Sequence, residues 1–335
     1  MEELDLTHVP ETETKIMLNL ANPTTAARWW RLPVDGVGLA RMEFVIDNAI
    51  IAHPLALLRF DEVKKKKDRD FIEELTKGYD DKGEFFIETL ARGLSRIAAL
   101  VYPNKVIVRM SDFKTNEYAG LLGGRQFEPK EENPMIGYRG ASRYYSPEYR
   151  EAFGLECKAI KRLREDMGFD NVTIMIPFCR SLEEADKVLE VLAEYGLKRG
   201  EGGLKIYVMC EIPANVILAE QFADRFDGFS IGSNDLTQLV LGVDRDSEMV
   251  AFEFDERDPG VLAALKLAIE GAKRNNRHVG ICGQAPSDYP EIAEFLVRED
   301  IDSISLTPER LIETTLAVLD LEKSLGRTPR EAARG

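Results

Sequence analysis

The sequence predicts an α/β protein, a (β/α)8 TIM barrel with inserted helices and one long loop, on three observations. Eight short runs rich in β-branched and other apolar residues recur along the chain, amphipathic stretches alternate with them, and no linker of biased composition divides the 335 residues. Near-continuous apolar runs suit strands covered on both faces, as in a parallel sheet. The 335 residues exceed the ~250 typical of such barrels, which implies insertions. The barrel is placed at 15–325, between tails at 1–14 and 326–335.

In chain order the strands are read at Ile16–Leu20, Gly36–Arg41, Val106–Met110, Val172–Pro177, Ile206–Glu211, Gly228–Gly232, Val279–Cys282 and Ser303–Thr307. Helical patterns cover Asp70–Thr76, Glu84–Leu100, Pro147–Met167, Ala214–Phe226, Gly260–Asn275, Tyr289–Arg298 and Glu309–Leu325. A further helix opens on Ser181, with Glu184 at the capping-box position, runs to about Tyr195 and stops at Gly196. The longest insertions lie at 42–104 and 110–170. The second contains Ser111–Arg143, rich in Gly, Asn and Pro, which reads as a long functional loop. Lys64–Lys67 reads as a solvated face, and the stretch from Arg327 to the end as a frayed tail.

A net charge of −15, with 59 acids against 44 bases, disfavours nucleic acid as a partner. It leaves room for a small anion held by a local arginine cluster. Cys157, Cys179, Cys210 and Cys282 are widely spaced, so neither a zinc site nor a disulfide framework is indicated, and most read as reduced core thiols. With only His8, His53 and His278 there is little material for a histidine metal site or a Ser-His-Asp triad. His278 opens a strand and reads as a hydrogen-bonded structural residue; His8 falls in the tail. No apolar run approaches the ~20 residues of a membrane span, and residues 1–5 lack the marks of a signal peptide, so a cytoplasmic protein is expected.

In barrels of this class, catalytic groups come from the C-terminal ends of strands. Arg41 follows the second strand, and Arg109 ends the third, ahead of Asp112, Lys114 and Asn116. Glu211 ends the fifth strand, Asn234 and Asp235 follow the sixth, and Cys282 lies on the seventh. Each has a plain alternative: for Asp235 alone, a helix cap is the better reading. Their convergence on one rim favours a site. Glu211 and Asp235 suit Mg2+ or Mn2+, hard ions that prefer oxygen ligands. The arginines offer planar, permanently charged forks for phosphate or carboxylate, and the Gly232-Ser233-Asn234 turn can present backbone N–H groups to an anion.

Several segments resemble the C-terminal PEP/pyruvate-binding domain of the phosphoenolpyruvate (PEP)-utilising enzymes. They are 36–44 (GVGLARMEF), 108–118 (VRMSDFKTNEY), 133–140 (NPMIGYRG), 210–213 (CEIP), 232–238 (GSNDLTQ), 243–245 (VDR) and 280–283 (GICG). Together they span about residues 15 to 320, and the second and third are most similar to the phosphoenolpyruvate synthases (pyruvate, water dikinases). The resemblance implies that Arg41, Arg109, Arg139 and Arg245 hold a phosphoryl group, with Gly232, Ser233, Asn234 and Asp235 in the substrate site. It implies Mg2+ on Glu211 and Asp235, chelating pyruvate, and Cys282 exchanging a proton with C3 of the enol. The phosphoryl donor in that family is a phosphohistidine charged by an ATP-binding domain. No segment here has a nucleotide loop, and no histidine sits in a Gly/Ser/Thr-rich context. The chain is therefore expected to be the PEP- and pyruvate-binding part of a larger or split enzyme, partnered by those two domains, homo-oligomeric, and limited to a partial reaction such as pyruvate enolisation. Pyruvate phosphate dikinase, a Mg2+-dependent pyruvate-enolate C–C lyase and a non-catalytic oligomerisation module are the alternatives.

Overall fold

The structure, a computed structural model, describes residues 11–29 and 31–328. Eight parallel strands close into a barrel in chain order: β1 (Lys15–Leu20), β2 (Gly36–Arg41), β3 (Lys105–Arg109), β4 (Val172–Ile176), β5 (Ile206–Cys210), β6 (Gly228–Ile231), β7 (His278–Ile281) and β8 (Ser303–Leu306). All eight predicted strands are present. Closure is by β1 on β8, with Lys15 opposite Ser303 and Leu18 opposite Leu306. Alternation along each strand divides the apolar side chains into two sets. Val106, Val108, Ile174, Ile176 and Val208 join the large core between sheet and helices. Leu39, Ile107, Met175, Tyr207, Met209 and Cys282 form a separate cluster inside the barrel. The interior is thus a packed core, and any cleft for chemistry must lie above it, at the strand ends.

Helix Leu182–Glu194 follows the predicted pattern: Ser181 Oγ accepts from Glu184 N at 3.1 Å, and Gly196 takes the left-handed conformation at φ +84°. The expected reciprocal capping bond is displaced, because the Glu184 carboxylate accepts from Arg180 N at 2.7 Å instead of from Ser181 N. Three predicted helices differ from the observed ones. Asp70–Thr76 starts a turn earlier, as Lys66–Leu75, with Thr76 as its C-cap. Ala214–Phe226 is two helices, Pro213–Ile217 and Ala219–Arg225, because Leu218 leaves helical geometry at φ −106°, ψ 31°. Pro147–Met167 begins only at Arg150, where the Ser146 carbonyl accepts from Arg150 N at 2.8 Å, and ends in a wider turn over Arg162–Asp166. A nine-residue helix, Ser233–Leu241, had no counterpart among the predicted helices.

The loop Ser111–Arg143 contains a short helix, Thr115–Gly120, and single turns at Gly124–Gln126 and Pro134–Ile136. A buried ion network anchors it. Arg143 donates two hydrogen bonds to Glu128 and stacks over Tyr138 and Tyr118 at 4.3 and 4.5 Å, while His53 Nε2 lies 2.9 Å from Glu128 Oε1. Arg143 and Glu128 side chains are each 1% exposed. Removing one partner strands a buried charge. Arg143→Met should therefore cost about 3–5 kcal/mol, measured as a lowered urea midpoint at unchanged slope. Beneath the loop, the buried Glu156 carboxylate accepts from Ser111 N at 3.1 Å, and Tyr144 OH donates to Ser111 O at 2.6 Å. Burial pushes the Glu156 carboxyl up to about 7. These bonds fix the backbone between Arg109 and Asp112.

Several sequence readings concern residues away from the rim. Lys64–Lys67 are all exposed, and the four cysteines are free and buried. His278 is not the hydrogen-bonded residue expected: its Nδ1 is buried without a partner among the described residues. His8 lies outside the described residues, as do residues 1–10 and 329–335 of the two tails. Glu13 and Thr14 donate backbone N–H groups to Glu322, each at 2.8 Å. No helix among the described residues is long and apolar enough to cross a membrane.

Candidate active site

A cavity of about 330 Å3 opens at the C-terminal ends of the strands. Arg41, Arg109, Arg139, Glu211, Gly232, Asn234, Asp235, Arg245 and Cys282 all line it, so residues up to 241 positions apart in sequence, Arg41 to Cys282, meet in one place. Each strand delivers its residue for the same reason: the apolar run ends where the sheet meets solvent, and the next polar side chain points over the barrel axis. Ser233 is the exception among the nine predicted substrate and catalytic positions. It is buried and faces Gly283, because the chain turns directly into helix Ser233–Leu241. Of the further candidates after β3, Lys114 lines the cavity, whereas Asn116 is exposed on the short loop helix.

Three carboxylates form the centre of the site. Asp112, Glu211 and Asp235 each offer an oxygen within 4.8 Å of the others. Glu211 is 1% exposed and accepts from Phe178 N at 2.7 Å. Burial, and then the neighbouring Asp235 and Asp112 charges, push its carboxyl well above the usual range. Such a group favours a cation that would let it ionise. The donor set is all oxygen, which fits a hard divalent ion such as Mg2+ or Mn2+. Asp112 enlarges the pair expected from sequence to a triad. Asp235 is not a helix cap: its side chain faces the cavity, and the N-cap position of helix Ser233–Leu241 is Gly232, which makes no side-chain cap.

Arginines surround the acids in two states. Arg139 pairs with Asp112 through Nε at 3.0 Å and reaches Asp235 Oδ2 through Nη2 at 2.9 Å, with its face 4.1 Å over Phe178. Arg109 pairs with Glu43 at 2.7 Å and lies 3.7 Å from Asp112. Burial works against the Arg109 charge, but Glu43 and Asp112 outweigh it and its pKa is raised. Neither Arg41 nor Arg245 has an ion pair among the described residues, and both face the cavity. Burial, and then Arg109, lower the Arg41 pKa, so a bound anion would relieve the strain of two adjacent guanidinium groups. Glu43 was not among the predicted site residues. Its position two residues after Arg41 was the available signal, but its pairing with Arg109 joins separate strands and is not written in local sequence.

Cys282 is 1% exposed. Its Sγ lies 3.6 Å from Ile231 O, and its backbone carbonyl accepts from Asn19 Nδ2 at 3.0 Å. Burial pushes the thiol up to about 11, so it holds its proton in the free protein. Asn234 Oδ1 accepts from Gln284 N at 3.4 Å, tying the β7 loop to the helix after β6. Gly283 is required by the same approach, since a Cβ there would lie 1.9 Å from Ser233 Oγ and 2.6 Å from Ser233 N. Gly283→Ala should displace the loop that carries Cys282 and lower any thiol-dependent proton exchange about 100-fold, with a far-ultraviolet circular dichroism spectrum like that of the parent.

Fold and site together define a class: a (β/α)8 barrel whose strand ends bring together three clustered carboxylates, several arginines and a buried thiol. The chain belongs to the PEP-utilising enzymes, as the sequence model of their PEP-binding domain matches residues 2–323. It is similar to the phosphoenolpyruvate synthases of Synechocystis sp. (60% identical over 327 residues, 97% of this chain and 40% of that protein) and Helicobacter pylori (56% over 325 residues, 97% and 40%). The Aquifex aeolicus phosphoenolpyruvate synthase is 52% identical over 371 residues, covering 97% of this chain and 43% of that protein. The chain thus spans about two-fifths of the length of these relatives. Among solved structures it resembles the Haloferax volcanii malate synthase pyruvate/acetyl-CoA ternary complex, with a TM-score of 0.50 at 14% identity over 99% of this chain and 78% of that one, a likeness of fold.

Proposed function

We propose that this chain is the PEP/pyruvate half-site of a phosphoenolpyruvate synthase, where a phosphoryl group carried on a histidine of another domain meets the enol oxygen of pyruvate. The observation that carries this reading is the meeting, in one small cavity, of the carboxylate triad, Arg41, which has no ion pair among the described residues, and the buried Cys282. A divalent cation held by Glu211 and Asp235, with Asp112 beside them, would supply Lewis-acid polarisation of the pyruvate oxygens. Arg41 and Arg245 are placed to take phosphoryl oxygens, and Arg109 and Arg139 to add charge from their carboxylate pairs.

Cys282 carries the proton inventory. In the direction of pyruvate formation its S–H proton passes to C3 of the enolate, the C2=C3 electron pair forms the C3–H bond as the C2 carbonyl is restored, and the thiolate remains beside Arg109 and Arg41. In the reverse direction the thiolate removes a methyl proton from pyruvate. Besides the cation this step needs only groups within the chain, and so the isolated protein is proposed to enolise pyruvate with Mg2+ but not to make PEP from ATP and pyruvate. Pyruvate in D2O with Mg2+ tests it: methyl deuteration above the cation-only rate is expected, and a rate equal to that background would contradict it.

A further inference from the structure

The opposite end of the barrel carries a second concentration of positive charge. In these barrels the interior is filled in layers of four side chains from alternate strands, ordinarily Val, Ile or Leu. The lowest layer here comes from the starts of the odd-numbered strands: Lys15 on β1, Lys105 on β3, Lys205 directly before β5, and His278 on β7. Lys105 Nζ donates to Tyr207 OH at 2.8 Å, and the His278 ring lies 5.5 Å from the Tyr207 ring. Tyr207 belongs to the inner cluster, so this group forms the floor of the barrel.

The layer is short of negative charge. None of the three lysines makes an ion pair among the described residues, and the phenol is the only hydrogen-bond acceptor that Lys105 has there. Lys205 and Lys15 are the cations acting most strongly on Lys105, and burial with these neighbours brings its amine down to about 8. The carboxylates that face the group are already engaged. Asp302 holds Lys273 Nζ at 2.6 Å and Val279 N at 2.8 Å, and Asp227 holds Arg199 Nε and Ile206 N, both at 2.9 Å. His278 Nδ1 is buried without a partner among the described residues. An unpaired cluster of this kind stands out in a chain with 59 acids and 44 bases. Lys15 and Lys205 are exposed and Lys105 is half-buried, and a half-buried ammonium beside like charges is costly without a counter-ion. Beside Lys15 and His278 a cleft of about 590 Å3 opens, lined also by Arg277 and by Glu13, Asp300 and Asp302, the three acids being paired with Lys273 or Arg327.

We propose that the floor of the barrel is an anion site for a compact oxyanion of the phosphate type, bound by Lys15, Lys105 and Lys205 with His278 beside them. It lies at the strand starts, on the far side of the packed interior from the carboxylate triad. It is independent of the reading of that site, so either can fail alone.

The test uses the whole chain labelled with 13C at lysine Cε, titrated with inorganic phosphate and, in parallel, with a phosphate monoester to separate a free-ion site from one that takes an esterified group. Binding of either is expected to raise the Lys105 titration midpoint from about 8 by roughly a unit or more. Lys205→Gln, at an exposed position, should weaken that binding roughly tenfold, while Arg41→Gln at the rim should leave it unchanged. A Lys105 midpoint unmoved by saturating anion would overturn the proposal. So would anion binding that is lost in Arg41→Gln and kept in Lys205→Gln.

Discussion

Cys282→Ser is expected to abolish methyl-proton exchange of pyruvate while leaving PEP binding within a few-fold of the parent protein. The serine hydroxyl is nearly the size of the thiol, but its far higher pKa makes it a poor base for the methyl proton. General acid–base groups contribute about 10²–10⁴-fold, so the variant's rate should fall to the background of free cation. The geometry gives this prediction its specificity. Sγ is buried, Asn19 fixes the backbone carbonyl of Cys282 at 3.0 Å, and Arg41 and Arg109 both act on the sulfur from the cavity side. Proton nuclear magnetic resonance in D2O measures the exchange directly. Exchange retained in the serine variant would remove Cys282 from the proton path and leave the buried thiol as core packing.

The second large effect concerns the carboxylates. Glu211→Gln and Asp235→Asn are near-isosteric and should each reduce Mn2+ affinity at least tenfold, with PEP binding losing its dependence on the cation. Removing a charge-bearing oxygen ligand from so small a set weakens the electrostatic attraction on which a hard cation depends. Asp112→Asn offers a graded comparison. Asp112 is held by Arg139 through both carboxylate oxygens, so its substitution should disturb Arg139 as well as the cation. Electron paramagnetic resonance of free Mn2+ counts bound ions without reference to activity. Wild-type affinity in both Glu211→Gln and Asp235→Asn would dissolve the proposed cation site.

Much of this arrangement was legible in the sequence because a parallel barrel writes its strands plainly. The run Ile206–Cys210 is apolar on both faces, and the first polar group after it, Glu211, falls on the rim at the strand ends. Arg41, Arg109, Glu211 and Asp235 could be placed on one rim from that rule alone. What could not be read was how those side chains pair. Arg109 meets Glu43 across two strands, and Arg139 reaches Asp112 and Asp235 from a loop whose path depends on the buried Arg143–Glu128 anchor. No periodicity encodes such contacts. Ser233 was misplaced for a related reason: the apolar run before it concealed the start of a helix, and the first turn directs its side chain under Gly283 instead of into the cavity. The lysines at the barrel floor, without ion pairs among the described residues, carry no signal in the sequence because each, taken singly, is an ordinary polar residue at the start of a strand.

The central claim is that the strand ends form a cation-dependent site for PEP. Isothermal calorimetry of PEP against the wild-type chain, with and without Mg2+, tests it most directly. Saturable binding at one site per chain in the presence of Mg2+, and at least tenfold weaker binding without it, is the predicted result. Equal binding in both conditions, or none in either, would contradict the account.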